Sequence, residues 1–302
     1  MPASLRQLRE RRASVSTIKK LTRAMELIAA SRIVKAQQRA QAAGPYAREL
    51  TRAVSAVATF SNVDHPLTTE KPNPKRAAVL LITSDRGQAG AYSANVIREG
   101  ERLNQLLRAD EKQIVPFLSG RKGIAYYTFR QREVAQSWSG DSDNPSFARA
   151  KEIADALIEA FLTPTEEGGV DEIHIVFTRF VSMLTQNAAV HRIIPLVIEE
   201  TTEEPVSGPI PLYEFEPSPQ AVLDELLPWY VESRIYQALL EAAASEIAAR
   251  RRAMKSATDN ANDLLEGFTR EANKARQAEI TQEISEIVGG ADALAESVAG
   301  KE

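Results

Sequence analysis

Both ends of the chain read as long helices, over residues 4–60 and 229–288, while everything that looks globular lies between them. At the helical rise of 1.5 Å per residue each would extend roughly 85 to 90 Å. One small domain cannot bury two such rods. The simplest packing has the N-terminal rod run into a compact middle domain and the C-terminal rod return beside it as an antiparallel coiled coil, a shaft with a foot. The expected fold class is therefore α/β: a long antiparallel coiled coil of N- and C-terminal helices with a central Rossmann-like α/β domain. The expected divisions are 1–60 (N-terminal coiled-coil helix), 61–218 (central α/β domain with flanking loops) and 219–302 (short helix, long coiled-coil helix and tip).

The seam between the rods is legible but thin. Leu240, Ile247, Met254, Ala261, Phe268 and Ala275 recur at steps of seven, with Ala243, Ala257, Leu264 and Ala278 expected on the same stripe. In the N-terminal rod Leu8, Val15, Thr22, Ala29 and Ala36 form one row, with Ile18 and Met25 beside it. A sustained seven-residue repeat gives a narrow seam and a left-handed supercoil. Arg250 and Glu271 would interrupt the C-terminal stripe, and Gly267 costs about 1 kcal/mol relative to Ala. So thin a pair points to other proteins around part of it. Periodicity alone equally allows a long spacer, with Met25 and Phe268 as ordinary core residues. Pro228 is expected to separate a short helix (220–227) from the rod, and Gly289-Gly290 either to end the rod or to loosen its tip.

Between the rods, Pro72, Asn73 and Pro74 mark a boundary. Strands are expected at 77–83, 114–118, 171–180 and 190–197, and helices at 92–108, 122–129 and 146–162. This alternation indicates a mainly parallel sheet. Residues 163–169 and 201–211 read as surface loops. The segment Ser84-Asp85-Arg86-Gly87-Gln88-Ala89-Gly90-Ala91-Tyr92 places glycines between a strand and a helix, where phosphates often bind. It lacks the Gly-Lys-Ser/Thr ending of a P-loop and the third Gly of a dinucleotide fingerprint, so its glycines are read as serving a tight turn and close packing. His65, His174 and His191 have no metal-ligand spacing, and no acid-base or nucleophile constellation is apparent. No cofactor is expected.

Composition narrows the classes further. The 302 residues are 43% hydrophobic and 26% charged, enough for a real core. With no Cys, a disulfide framework, Cys-ligated zinc and thiol catalysis are excluded. No stretch approaches the roughly 20 apolar residues that cross a bilayer. The net charge of −4 hides an asymmetry: in the first 42 residues ten Arg and Lys face only Glu10 and Glu26. That Arg-rich start resembles a transit peptide in composition, but the helical pattern continues unbroken. A basic rod could also track nucleic-acid phosphates, yet it carries no interleaved aromatic platform, and residues 277–302 are acidic. A Rossmann-like enzyme with a helical arm is opposed by the missing cofactor fingerprint.

Two segments carry a family resemblance. Met254-Lys255-Ser256-Ala257-Thr258-Asp259-Asn260-Ala261 and Asn273-Lys274-Ala275-Arg276-Gln277-Ala278-Glu279-Ile280-Thr281-Gln282-Glu283-Ile284 closely resemble the C-terminal helix of ATP synthase gamma subunits. Residues 17–31 look like that family's opening helix, and Ser84-Asp85-Arg86-Gly87 with Gly90 and Tyr92 resembles its signature turn. Gln88-Ala89, Ala91 and Ser93 depart from the pattern, and the Cys-bearing regulatory insertion of the chloroplast form is absent.

The resemblance implies a non-catalytic central-stalk rotor of an F-type ATP synthase. It would couple rotation of the membrane c-ring, driven by proton translocation, to the alpha3beta3 head. The implied partners are the alpha and beta subunits, epsilon and the c-ring, with no nucleic acid. Membrane association would be indirect, on the cytoplasmic side of a bacterial-type cell membrane. By position, Met25, Arg250, Arg276, Gln277, Thr281 and Glu283 correspond to family residues at or near the beta contact. Tyr213 and Glu216 correspond to the segment that meets the c-ring.

Overall fold

The computed structural model describes residues 5–60, 65, 67–71, 73–196 and 215–299, with side chains at 58–60 and 292–299 outside that description. Its elements are α1 (Leu5–Phe60), β1 (Arg76–Ile82), α2 (Tyr92–Ala109), β2 (Gln113–Ser119), α3 (Arg121–Phe129), β3 (Gln136–Trp138), α4 (Phe147–Leu162), β4 (Glu172–Phe180), β5 (Gln186–Ile194) and α5 (Pro219–Ala299). The chain divides into two compact units, one of residues 1–28 and 253–302 and one of residues 29–252.

In the larger unit the sheet runs β3-β2-β1-β4-β5. The first four strands are parallel and β5 pairs antiparallel with β4 at the edge. From Ala77 to Ile82, β1 is an unbroken apolar run with both faces covered, as a central parallel strand requires. Ala78, Leu80 and Ile82 face one core with Ile153, Leu157 and Phe161 of α4 and with Leu50, Val54, Leu223 and Leu227 of the long helices. Ala77, Val79 and Leu81 face a second core with Val96, Leu103 and Leu107 of α2 and Tyr127 of α3. α4 places Ala150, Ile153, Ala154, Leu157 and Phe161 on one stripe, and Ser146 caps it by accepting from the Arg149 N–H at 3.2 Å.

Asp171 fastens the start of β1 to β4. Its carboxylate accepts from Lys71 Nζ at 2.7 Å and from the backbone N–H groups of Lys75 and Arg76 at 2.7 and 2.9 Å, as well as from the Thr165 hydroxyl. Burial alone would raise its pKa, but these donors outweigh burial and hold it down at about 2. Thr165 belongs to a short 3-10 turn, Thr165–Glu167, so the expected loop at 163–169 carries a strut of the sheet.

Several expectations change. Pro228 lies inside α5 and does not separate two helices. Its missing N–H forfeits one hydrogen bond, but Leu223, Leu227, Val231 and Ile235 on both sides of it enter the same core, and that burial outweighs the break. Gly289 and Gly290 do not end α5, which continues to Ala299. α1 likewise runs through Pro45. β3 was too short to read from pattern; it is held by Trp138, stacked on Phe117 with ring centroids 6.3 Å apart and donating to Glu152 at 3.1 Å. β5 starts four residues earlier than expected. Pro72 and the 201–211 loop lie outside the described residues.

In the smaller unit the seven-residue rows are as expected, but their companion columns sit one residue later. Beside Met254 and Ala261, Thr258 and Ala272 are buried and Leu265 is half-buried; Ala257 is half-buried as expected, whereas Leu264 is 53% exposed and Ala278 is exposed. Glu271 is exposed and does not interrupt the stripe, and Arg250 belongs to the larger unit. In α1, Glu26 is buried beside Thr22 while Ile18 is 52% exposed. The seam holds a hydroxyl bond from Thr258 to Thr22 at 2.8 Å and a Glu26–Arg23 ion pair at 2.8 Å. In the larger unit the pairing is apolar, with Ala29 and Ile33 against Ala244, Ile247 and Ala248.

Two expectations test these assignments. A Cβ at Gly267 would meet nothing within 4 Å, so Gly267→Ala should stabilise α5 by about 1 kcal/mol, read as a higher thermal midpoint by circular dichroism. Because the Asp171 pKa lies below the unfolded value of about 3.9, its contribution is complete above that pH and is lost as pH falls toward 2. Asp171→Asn should lower stability at neutral pH by about 2 kcal/mol and flatten the acid limb of a denaturation series between about pH 4 and pH 2. An unchanged acid limb would contradict the assignment.

Candidate interaction surfaces

The Gly-containing turn after β1 is built as a fastener. The Asp85 carboxylate accepts from Arg121 N–H at the start of α3 (3.1 Å), from Gly140 N–H (2.8 Å) and from Ser142 N–H (3.0 Å). Its own N–H donates to Ser142 Oγ at 2.9 Å. Ser84 and Ser93 share a hydroxyl bond at 2.7 Å, and Ser84 C=O accepts from Lys122 N–H at 3.0 Å. Positive φ falls at Gln88 (63°) and Gly90 (59°) but not at Gly87. Gly90 thus serves the turn conformation that only Gly adopts freely, and Gln88 takes the same conformation without that freedom. At Gly87 an added Cβ would meet only the Lys122 side chain at 3.7 Å.

The turn packs onto α5. Tyr92, which is buried, donates to Ala242 C=O at 3.2 Å and lies with Ala89 against Ala249. Burial raises its phenol pKa well above the ordinary value, and nearby Glu246 adds to the shift. Burial also raises the pKa of Glu246, opposed by Arg250, which pairs with it at 2.6 Å. Arg250 is only 12% exposed, and its guanidinium also reaches Arg86 C=O and Gly87 C=O, each at 3.4 Å. Of the residues singled out in sequence, Arg250 thus sits inside the larger unit, clasping the turn.

Beside this turn lies a cleft of about 430 Å³ that gathers four cations, Arg32, Lys35, Arg39 and Arg86, around one carboxylate, Asp143. Asp143 pairs with Arg32 at 2.9 Å and lies 3.8 Å from Arg86. Arg39 donates to the neutral Asn144 side chain, and Lys35 makes no ion pair among the described residues. Sequence reading marked the rod as basic but did not see this concentration. The available signal was the 32, 35, 39 spacing, which puts three cations on one helical face. Arg86 and Asp143 join them only through the fold.

The remaining residues singled out face outward or stand at the seam's edge. Arg276, Gln277, Thr281 and Glu283 are exposed on α5, where the Thr281 hydroxyl donates back to Gln277 C=O at 2.9 Å. The same stretch exposes Ile280, Ile284, Ile287 and Val288, positions that share a helical face. Met25 is half-buried, in a row with the exposed Ile18, Leu21 and Ile28 at helical spacing. Glu216 is exposed; Tyr213 lies outside the described residues. His65 is structural, its ring bridging Leu67 N–H and Asp224 at 3.0 Å each. His174 is buried with Nε2 3.1 Å from Glu172. Among the described residues no helix is long and apolar enough to cross a membrane.

Exposed apolar rows rimmed by charge are a feature of surfaces that contact other chains. A family profile described as ATP synthase matches residues 4–294, and the chain belongs to the ATP synthase gamma family. It is 67% identical over 294 residues to the ATP synthase gamma chain of Acidothermus cellulolyticus, covering 97% of this chain and 98% of that one. It is 62% identical over 304 residues to that of Streptomyces griseus, covering all of both. In fold it resembles a chain of the Euglena gracilis mitochondrial ATP synthase rotor, with a TM-score of 0.65 at 16% identity over 91% of this chain and 98% of that one. It also resembles a chain of the Tetrahymena thermophila mitochondrial ATP synthase central stalk and c-ring, with a TM-score of 0.58 at 20% identity over 78% of this chain and 99% of that one.

Asp85→Ala would leave three backbone donors without their acceptor. We expect a loss of about 3 kcal/mol in urea unfolding, with Asp85→Asn retaining part of it because one amide oxygen still accepts.

Proposed function

We propose that the chain is the central-stalk rotor of an F-type ATP synthase, carrying rotation of a membrane c-ring to an alpha3beta3 head while the chemistry of ATP synthesis stays on the neighbouring subunits. The observation that carries this reading is the 67% identity over 97% of the chain to a protein named ATP synthase gamma chain. The physical character of the helices supports it. A shaft needs stiffness and distinct faces toward distinct neighbours, and a seam of Thr, Ala and Glu with apolar rows turned outward meets both needs better than an ideal coiled coil.

Residues 1–60 and 219–302 then form the shaft and 61–218 the foot. Met25, Arg250, Arg276, Gln277, Thr281 and Glu283 are the proposed beta contacts. The exposed four act directly, and Arg250 acts through the turn it clasps. The basic cleft suits an acidic segment of beta, because complementary charge sets register and steers encounter. Tyr213 and Glu216 are the proposed c-ring contacts, with epsilon beside them and the complex held on the cytoplasmic face of the cell membrane.

The decisive experiment mixes the purified chain with alpha and beta from the same organism and follows size exclusion and ATPase activity. One copy should co-elute with the hexamer and raise turnover; a well-folded chain that fails to bind would discard the reading. In the assembled complex, Arg276→Ala with Gln277→Ala should reduce coupled ATP synthesis at least about threefold, a loss of about 0.7 kcal/mol, at unchanged helicity. Lost helicity with normal coupling would refute those two contacts.

A further inference from the structure

Away from these surfaces, the face of α5 that carries Arg234, Gln237 and Glu241 lies over the β4–β5 end of the sheet and lines a partly open cavity of about 130 Å³. On the helix these residues fall at i, i+3 and i+7, one face. On the sheet side Arg179 comes from β4 and His191 from β5, over a floor that includes Ile175 and Phe177. All belong to the larger unit. The cavity is partly open to solvent and has room for one tetrahedral oxyanion.

The polar groups of this cavity are left incomplete. Among the described residues neither Arg179, which is exposed, nor Arg234, which is half-buried, pairs with a carboxylate. Arg234 instead donates to His191 Nδ1 at 3.3 Å. That bond makes Nδ1 an acceptor and leaves the imidazole proton on Nε2. Burial, then Arg234, then Arg179 lower the His191 pKa, so the ring stays neutral and adds no third charge. Its plane is fixed edge-on to Phe177, with centroids 5.2 Å apart. Glu241 accepts from Gln237 at 3.1 Å through Oε1, while Oε2 is buried and receives no hydrogen bond. A buried carboxylate oxygen without a donor is costly and calls for a partner.

Two unpaired guanidiniums and one unpaired acceptor are complementary to an oxyanion that still carries a proton. Sulfate has none near neutral pH, and a phosphate monoester, with its second pKa near 6, has mostly lost its last one by pH 7. Inorganic phosphate keeps a P–OH group throughout this range. We propose that the cavity binds one hydrogen phosphate ion, with Arg179 and Arg234 holding its unprotonated oxygens and the Glu241 carboxylate rotating to bring Oε2 to the cavity and accept its P–OH hydrogen bond. The assignment does not depend on the rotor reading, since it rests on side chains that the sheet and α5 bring together by themselves.

Isothermal titration of the full chain at about pH 7.5 and constant ionic strength, with potassium phosphate and then potassium sulfate, tests it. Saturable phosphate binding is expected, with sulfate at least about tenfold weaker, a difference of about 1.4 kcal/mol. Arg234→Gln should abolish the phosphate signal. Glu241→Gln, whose amide can donate where the carboxylate only accepted, should bring the two anions within about twofold of each other. If circular dichroism shows Arg234→Gln to be misfolded, Arg179→Gln at the exposed edge serves in its place. Equal binding of both anions by the unaltered chain, no saturable heat up to about 20 mM phosphate, or unchanged discrimination in Glu241→Gln would each overturn the proposal.

Discussion

The double-sided burial of β1 is the constraint on which the larger unit depends. A strand with no solvent face needs a layer on each side, and the six residues from Ala77 to Ile82 alternate between two separate cores. One core takes α2 and α3. The other takes α4 together with α1 and α5, so the long helices are partners of the sheet and not appendages to it. The turn after β1 inherits this role. With its strand immobile on both faces, Asp85 can hold three amides from two different segments in one place.

Along the long helices the chemistry of the contact changes. In the larger unit small and branched apolar residues, Ala29, Ile33, Ala244 and Ile247, pack directly. In the smaller unit the pairing includes a Thr–Thr hydroxyl bond and a buried Glu26 held by Arg23. Polar groups at a seam specify register at some expense of stability. Apolar area on the outer faces, at Leu21, Ile28, Ile284 and Ile287, is left for other surfaces. The thinness of the seam and the exposure of those rows are two sides of one distribution of hydrophobic residues.

Charge follows a comparable division. Arg250 and Glu246 neutralise each other under the turn, and Lys112 and His174 surround Glu172 inside the sheet. Arg32, Lys35, Arg39 and Arg86 by contrast share a single carboxylate. Glu172 and Glu246 have their counter-ions beside them, while excess positive charge is gathered on the cleft, an arrangement that favours steering and orientation over intrinsic stability.

Local pattern was enough to place the helical ends, the apolar strands and the seven-residue rows, because amphipathic period and apolar runs are properties of neighbouring residues. The motif segments of α1, α5 and the turn were legible for the same reason. Pattern could not tell that α5 would run through Pro228 and Gly289-Gly290. At Pro228 the local cost of the break competes with burial of Leu223, Leu227 and Val231 in a core that only the fold assembles. Nor could it choose between companion columns one residue apart at the seam, since Ala257 and Leu264 are as apolar as Thr258 and Leu265 and only the facing helix decides. The sequence by itself determined the elements and the family. Tertiary structure alone decided that Arg250 turns inward to clasp the turn, that Arg86 and Asp143 meet the basic face of α1, and that Arg179, Arg234 and Glu241 share one cavity, because each joins residues far apart in the chain whose meeting depends on how the elements pack.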